Sequence, residues 1–112
     1  MKLTNDLFFA PVSKLGPLLK ARKISPVELA EGYLTRLETV GARLGAVAAL
    51  MRETALGEAR TAEREIRVGR YRGPLHGIPY GAKDLLATRH ANTTWGAAPY
   101  KGSALRFRCD CD

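Results

Sequence analysis

The stretch Leu75-His76-Gly77-Ile78-Pro79-Tyr80-Gly81-Ala82-Lys83-Asp84-Leu85-Leu86 decides how the rest of this sequence is read. Its apolar residues predict a strand, entered through glycine and proline, that carries a lysine close to its C-terminal end. Glycine and alanine stand directly before Lys83, so backbone or substrate can approach it closely. A lysine on an apolar strand has two options: its ammonium reaches water, or burial disfavours the charge and leaves a usable base near neutral pH. An exposed strand-end lysine, or one paired with a carboxylate, is the plain alternative.

Upstream of that stretch the pattern is helical. Val12, Leu15, Leu18 and Leu19 recur at helical spacing, with Gly16-Pro17 weakening the middle of the segment. Ser25-Pro26-Val27-Glu28 is a strong helix start: serine to cap, proline at the first helical position, and glutamate to complete a capping box. The helix that follows places Leu29, Tyr33, Leu37 and Val40 on one face and stops at Gly41. Ala46–Met51 is a short apolar run that fits a buried strand, although periodicity alone leaves a helix open. A second long helix is predicted from about Glu53 to Val68, with Leu56, Ala59, Ala62 and Ile66 facing inward. Residues 87–102 read as loop. The order helix, helix, strand, helix, strand predicts an α/β fold.

Composition narrows the function classes. The chain has 112 residues, 46% of them hydrophobic and 26% charged, as in ordinary globular domains and unlike disordered or collagen-like sequences. No apolar run approaches the roughly 18 residues that a membrane span needs. Asp6 falls where a secretory signal would begin its apolar stretch, so a cytoplasmic location is expected. The net charge of +7 raises nucleic acid as a partner. The excess is spread, however, with +3 in residues 1–57 and +4 in residues 58–112. Its densest cluster, Arg60, Arg64, Arg67, Arg70 and Arg72, is interrupted by Glu63 and Glu65 and reads as a solvated helix face. Cys109 and Cys111, one residue apart, are poorly placed to bridge each other and lack the further ligands of a structural zinc site. Neither a metal nor a cofactor is expected.

Pro74–Asp84, followed by Thr93-Thr94-Trp95-Gly96, closely resembles the first signature block of the amidase signature family. Ile24–Leu29, the Leu44–Met51 run and the Ala/Glu/Arg-rich helix resemble the same family's N-terminal segment, in the same order, so the likeness covers about residues 8 to 105. It implies the N-terminal portion of the amidase-signature fold, helices packed on a mixed sheet, incomplete in this chain. It also implies hydrolysis of C–N amide bonds through a Ser–cis-Ser–Lys triad, with Lys83 as the lysine and a small-molecule amide as substrate. In that chemistry the neutral lysine takes a proton through the cis serine, the second serine attacks the amide carbon, and backbone N–H groups stabilise the oxyanion.

The serines of this chain do not complete that triad. Only Ser13, Ser25 and Ser103 occur, and none lies in a Gly-Gly-Ser-Ser-Gly-Gly type of loop. Residues 1–105 are therefore expected to be the N-terminal part of an amidase domain. Residues 106–112 are expected to be a tail foreign to the family, left by a shifted or cut reading frame. Family members imply a homo-oligomer or amidotransferase subunits as partners. A fragment of the A-type subunit of a transfer-RNA-dependent glutamine amidotransferase is the alternative within the family. Outside it stand a small basic nucleic-acid binder, whose binding falls steeply with salt, and a helical interaction module using Leu29, Tyr33 and Leu37.

Overall fold

A computed structural model describes residues 3–84, 86, 88, 91–94, 96–100 and 102. The fold is helical: α1 (Asn5–Phe8), α2 (Val12–Lys20), α3 (Pro26–Arg36) and α4 (Arg52–Arg67). Ser25 caps α3 as its sequence requires. Its hydroxyl accepts from the Glu28 N–H at 3.0 Å, and the Glu28 carboxylate accepts from the Ser25 N–H at 3.1 Å, which satisfies two otherwise orphaned donors. Gly41 does not stop the chain as predicted. Instead α3 continues into a π-helical turn, Leu37–Gly41, and the backbone stays helical through Arg43. The Thr39 hydroxyl donates back to the Thr35 carbonyl at 2.9 Å, a competing bond of the kind that loosens helical winding. Leu37 is exposed, unlike Leu29, with which it was expected to share a face.

Two apolar clusters hold the helices. Leu7, Leu15, Leu19, Ile24 and Leu29 form the first, joining α1, α2 and the start of α3, with Tyr33 and Ile78 packed against it. Tyr33 is amphipathic. Its ring meets Phe8 edge to face at 5.2 Å while its hydroxyl donates to the Phe8 carbonyl at 2.8 Å. Burial pushes the Tyr33 phenol above its usual pKa, and the Arg36 cation pulls it the other way. The second cluster is the seam between α3 and α4, where Ala30, Leu34, Ala59, Ala62 and Ile66 are buried. Ala59, Ala62 and Ile66 lie inward as their spacing predicts, and Leu56 is half-buried.

Beyond α4 the chain turns back along the helices. The Glu65 carboxylate accepts from the Arg72 guanidinium at 2.6 Å and from His76 Nε2 at 2.9 Å. His76 Nδ1 in turn accepts from the Arg72 N–H at 3.0 Å, so Nε2 is the ring nitrogen that carries the proton. The two strands expected at 46–51 and 75–86 are not formed among the described residues, and the mixed sheet is not observed there. Turns take the place of the second: His76 N–H donates to Gly73 O and Ile78 N–H to Leu75 O. Pro79 lacks a donor for a sheet ladder, and Gly77 reverses the chain at φ +83°. With no neighbouring strand paired to it, an extended segment has nothing to make it β-structure.

Two substitutions check this architecture in thermal or urea melts. Ser25→Ala is expected to destabilise the chain by about 1 kcal/mol, and Ser25→Asp to retain most of that. At Gly77 a Cβ would lie 2.9 Å from Pro26 Cγ in a backbone conformation that L-residues rarely adopt. Gly77→Ala is therefore expected to cost about 2 kcal/mol or more.

Candidate functional site

Lys83 lies in irregular backbone and is exposed to solvent, the first of the two options open to it from sequence. The Leu86 N–H donates to the Lys83 carbonyl at 3.0 Å, a turn-type bond between residues three apart, with Asp84 directly after the lysine. Across from this turn runs the Asn92–Thr94 segment. Thr94 engages both carboxylate oxygens of Asp84: its N–H donates to Oδ1 at 2.9 Å and its hydroxyl to Oδ2. The Gly96 N–H donates to the Thr94 hydroxyl oxygen at 3.3 Å, which leaves the hydroxyl hydrogen for the carboxylate. Gly96 itself adopts φ +71°, a backbone conformation that favours glycine. Thr93, 2% exposed, donates its hydroxyl to the Leu86 carbonyl at 3.4 Å.

These bonds set the electrostatics at Asp84. The Thr94 hydroxyl, then the Thr94 N–H, stabilise the carboxylate and hold its pKa below the ordinary aspartate value of 3.8, against a smaller opposing effect of desolvation. Lys83 opens onto a cavity of ≈ 370 Å³ whose walls include Leu37, Val47, Met51, Ala82 and Asn92. Beside it, Asp84 and Thr94 face a second cavity of ≈ 630 Å³ bounded by residues 48–54. The apolar run at 46–51 thus serves as a wall of the lysine site, although it is not a strand. A small substrate of mixed polarity fits such a setting, an apolar wall with few polar groups.

The other sequence candidates lie elsewhere. Ser13 is exposed on α2 and Ser25 is occupied as a cap, so neither stands at the Lys83 cavity. Trp95, Ser103, Cys109 and Cys111 fall outside the described residues, as does the 106–112 tail. Arg60, Arg64 and Arg67 are exposed along α4, whereas Arg72 is drawn away to Glu65. No helix is long and apolar enough to cross a membrane among the described residues. Sequence reasoning misses Asp84, Thr93 and Thr94 as working residues. The signal available is the adjacency of Asp84 to Lys83 and the pair of hydroxyls ten residues on.

Comparison with known proteins gives the family of the chain. The family profile described as Amidase matches residues 28–107. "Putative amidase AmiD" of Mycobacterium tuberculosis (strain ATCC 25618 / H37Rv) is 37% identical over 90 residues, covering 80% of this chain and 19% of its own. The A-type subunit of glutamyl-tRNA(Gln) amidotransferase from Geobacter sp. (strain M21) is 34% identical over 107 residues, covering 89% of this chain and 22% of its own. Its counterpart from Aromatoleum aromaticum is 43% identical over 88 residues, 79% of this chain and 18% of its own. The chain belongs to the amidase family. It spans about a fifth of the length of these curated relatives. No solved structure matches it.

The tie between Asp84 and Thr94 has a pH signature. Because the folded pKa of Asp84 is depressed, the tie contributes fully above the unfolded value and is lost as pH falls through the lower folded value. Carboxyl carbon NMR is expected to give Asp84 a midpoint below 3.8, with protection of the Thr94 amide disappearing on the acid side of it. A midpoint at or above 3.8 contradicts the geometry.

Proposed function

We propose that this chain carries the lysine-bearing part of an amide-hydrolysing site, with Lys83 as the general base. Family membership supports the reaction class. The single observation that carries the assignment to Lys83 is its position: a lysine on a hydrogen-bonded turn, at the mouth of a ≈ 370 Å³ cavity, inside the segment that the family profile covers. Once the sequence that supplies the serines covers Lys83 and leaves its amine neutral, the amine accepts a proton from a serine hydroxyl through an intervening cis serine, and the deprotonated oxygen attacks the amide carbon. The tetrahedral adduct breaks its C–N bond and expels the amine, which takes the proton back from the lysine through the cis serine, and water then hydrolyses the acyl-serine to the acid. Since neither Ser13 nor Ser25 reaches the cavity, both serines are supplied by sequence other than residues 3–84. The apolar wall of Leu37, Val47 and Met51 faces the substrate's non-reacting part.

A second reading within the family rests on the amidotransferase subunits among the relatives. In it the same lysine serves ammonia release from an amide donor, on behalf of partner subunits. Co-purification of the chain with the other subunits of such an enzyme distinguishes it from a free-standing amidase.

The chain by itself is expected to hydrolyse no simple amide above background. Residues 28–107, placed in AmiD instead of its own matching segment, are expected to give an active chimera. Lys83→Ala in that chimera is expected to lower kcat/KM by about ten-thousand-fold, as loss of a member of a nucleophilic triad does. Equal turnover by the alanine variant excludes Lys83 as the base.

A further inference from the structure

A lysine that works as a base has to be kept from the nearest anion, because a carboxylate within about 4–6 Å favours the charged ammonium. Here the nearest anion in sequence is the next residue, Asp84. We infer that Thr93 and Thr94 form a positioning clamp on the lysine turn, in which Thr94 keeps the Asp84 carboxylate occupied and so leaves the Lys83 amine free of it. The inference rests on the reading of Lys83 as the base.

Both limbs of the clamp come from one dipeptide and grip Asp84 and Leu86, which follow the lysine. Thr94 takes Asp84 through two donors, one for each carboxylate oxygen, and its hydroxyl is oriented by the Gly96 N–H. Bonds to an ionised acceptor are the stronger kind, so this limb holds firmly even in contact with water. Thr93 takes the other end. Its buried hydroxyl reaches the Leu86 carbonyl, while the Leu86 N–H donates to Lys83 O. The lysine backbone is therefore fixed through its own carbonyl and through the residue that follows it. Serine at either position keeps the hydroxyl; valine keeps the shape and loses it.

The test uses the 112-residue chain and acylation of its lysines by an N-hydroxysuccinimide acetate, with rates mapped residue by residue by mass spectrometry. Lys14 and Lys20, both exposed on α2, serve as internal references. In Thr94→Val one carboxylate oxygen loses its donor and turns to the adjacent ammonium. Labelling of Lys83 relative to Lys14 is expected to slow by about threefold at low ionic strength, the size of an exposed ion-pair effect. Salt is expected to abolish the slowing, and Thr94→Ser to restore the wild-type ratio. A purely structural role predicts the opposite sign, since a loosened turn labels faster. An unchanged or raised ratio in Thr94→Val, or no recovery in Thr94→Ser, overturns the clamp.

A second measurement needs no variant. Amide exchange of Thr94 in the wild-type chain is expected to be slowed by about tenfold or more against the unstructured rate. An unprotected Thr94 amide overturns the proposal even where Thr94→Val fails to fold. Neither readout depends on catalysis. A failed clamp thus leaves the Lys83→Ala result in the chimera standing, and a failed base assignment leaves the labelling ratio standing.

Discussion

One carboxylate organises the path of the chain through this structure. Glu65, on the last turns of α4, accepts from the Arg72 guanidinium and from the His76 ring, and the ring accepts from the Arg72 backbone. The three groups close a loop that ties the return segment to the helix it has just left. His76 is largely buried, its side chain 8% exposed, so each of its ring nitrogens needs a partner and each has one. From that anchor the next residue, Gly77, settles against Pro26 at the start of α3, and Ile78 joins the apolar cluster beneath. The described residues that follow, Lys83 among them, continue from this point. Breaking one member of such a partly buried network costs more than the pair itself, because the groups left behind are unpaired.

Helices were legible because their signals are local. Ser25, Pro26 and Glu28 fall within one turn of each other, and the capping bonds they make involve no distant residue. Ala59, Ala62 and Ile66 recur at a period that only one face of a helix can satisfy. A strand has no such autonomy. The runs at 46–51 and 75–86 carry strand-like composition, but strand formation requires lateral partners, which no local pattern supplies. Composition reports that a segment is apolar; it does not report what lies beside it. The π-helical turn after Arg36 escapes sequence reading for a related reason, since a hydroxyl bonding back to Thr35 competes with the helical ladder in a way that no periodicity records.

At the site, Lys83 was legible as a residue and its surroundings were not. A lysine behind Gly81-Ala82 stands out in one dimension, and the family likeness sharpens its significance. The threonines that hold its turn lie ten residues further on and look like ordinary loop composition. Only the folded arrangement shows that they face Asp84 and Leu86. Arg72 makes the opposite transition. In sequence it ends a basic stripe, and in the fold it is the arm that fixes the chain reversal.

The seam between α3 and α4 has a consequence for the lysine that its distance conceals. Ala30, Ala55, Ala59 and Ala62 present little more than methyl groups to the Gly77–Tyr80 segment, and the space between them is ≈ 200 Å³. Pro26 and Glu58 complete the lining, so a longer side chain on either helix first fills this space before it presses on the ribbon of backbone that leads, three residues later, to Lys83. The alanines thus leave slack, not a fixed spacing, beneath the backbone that carries the amine.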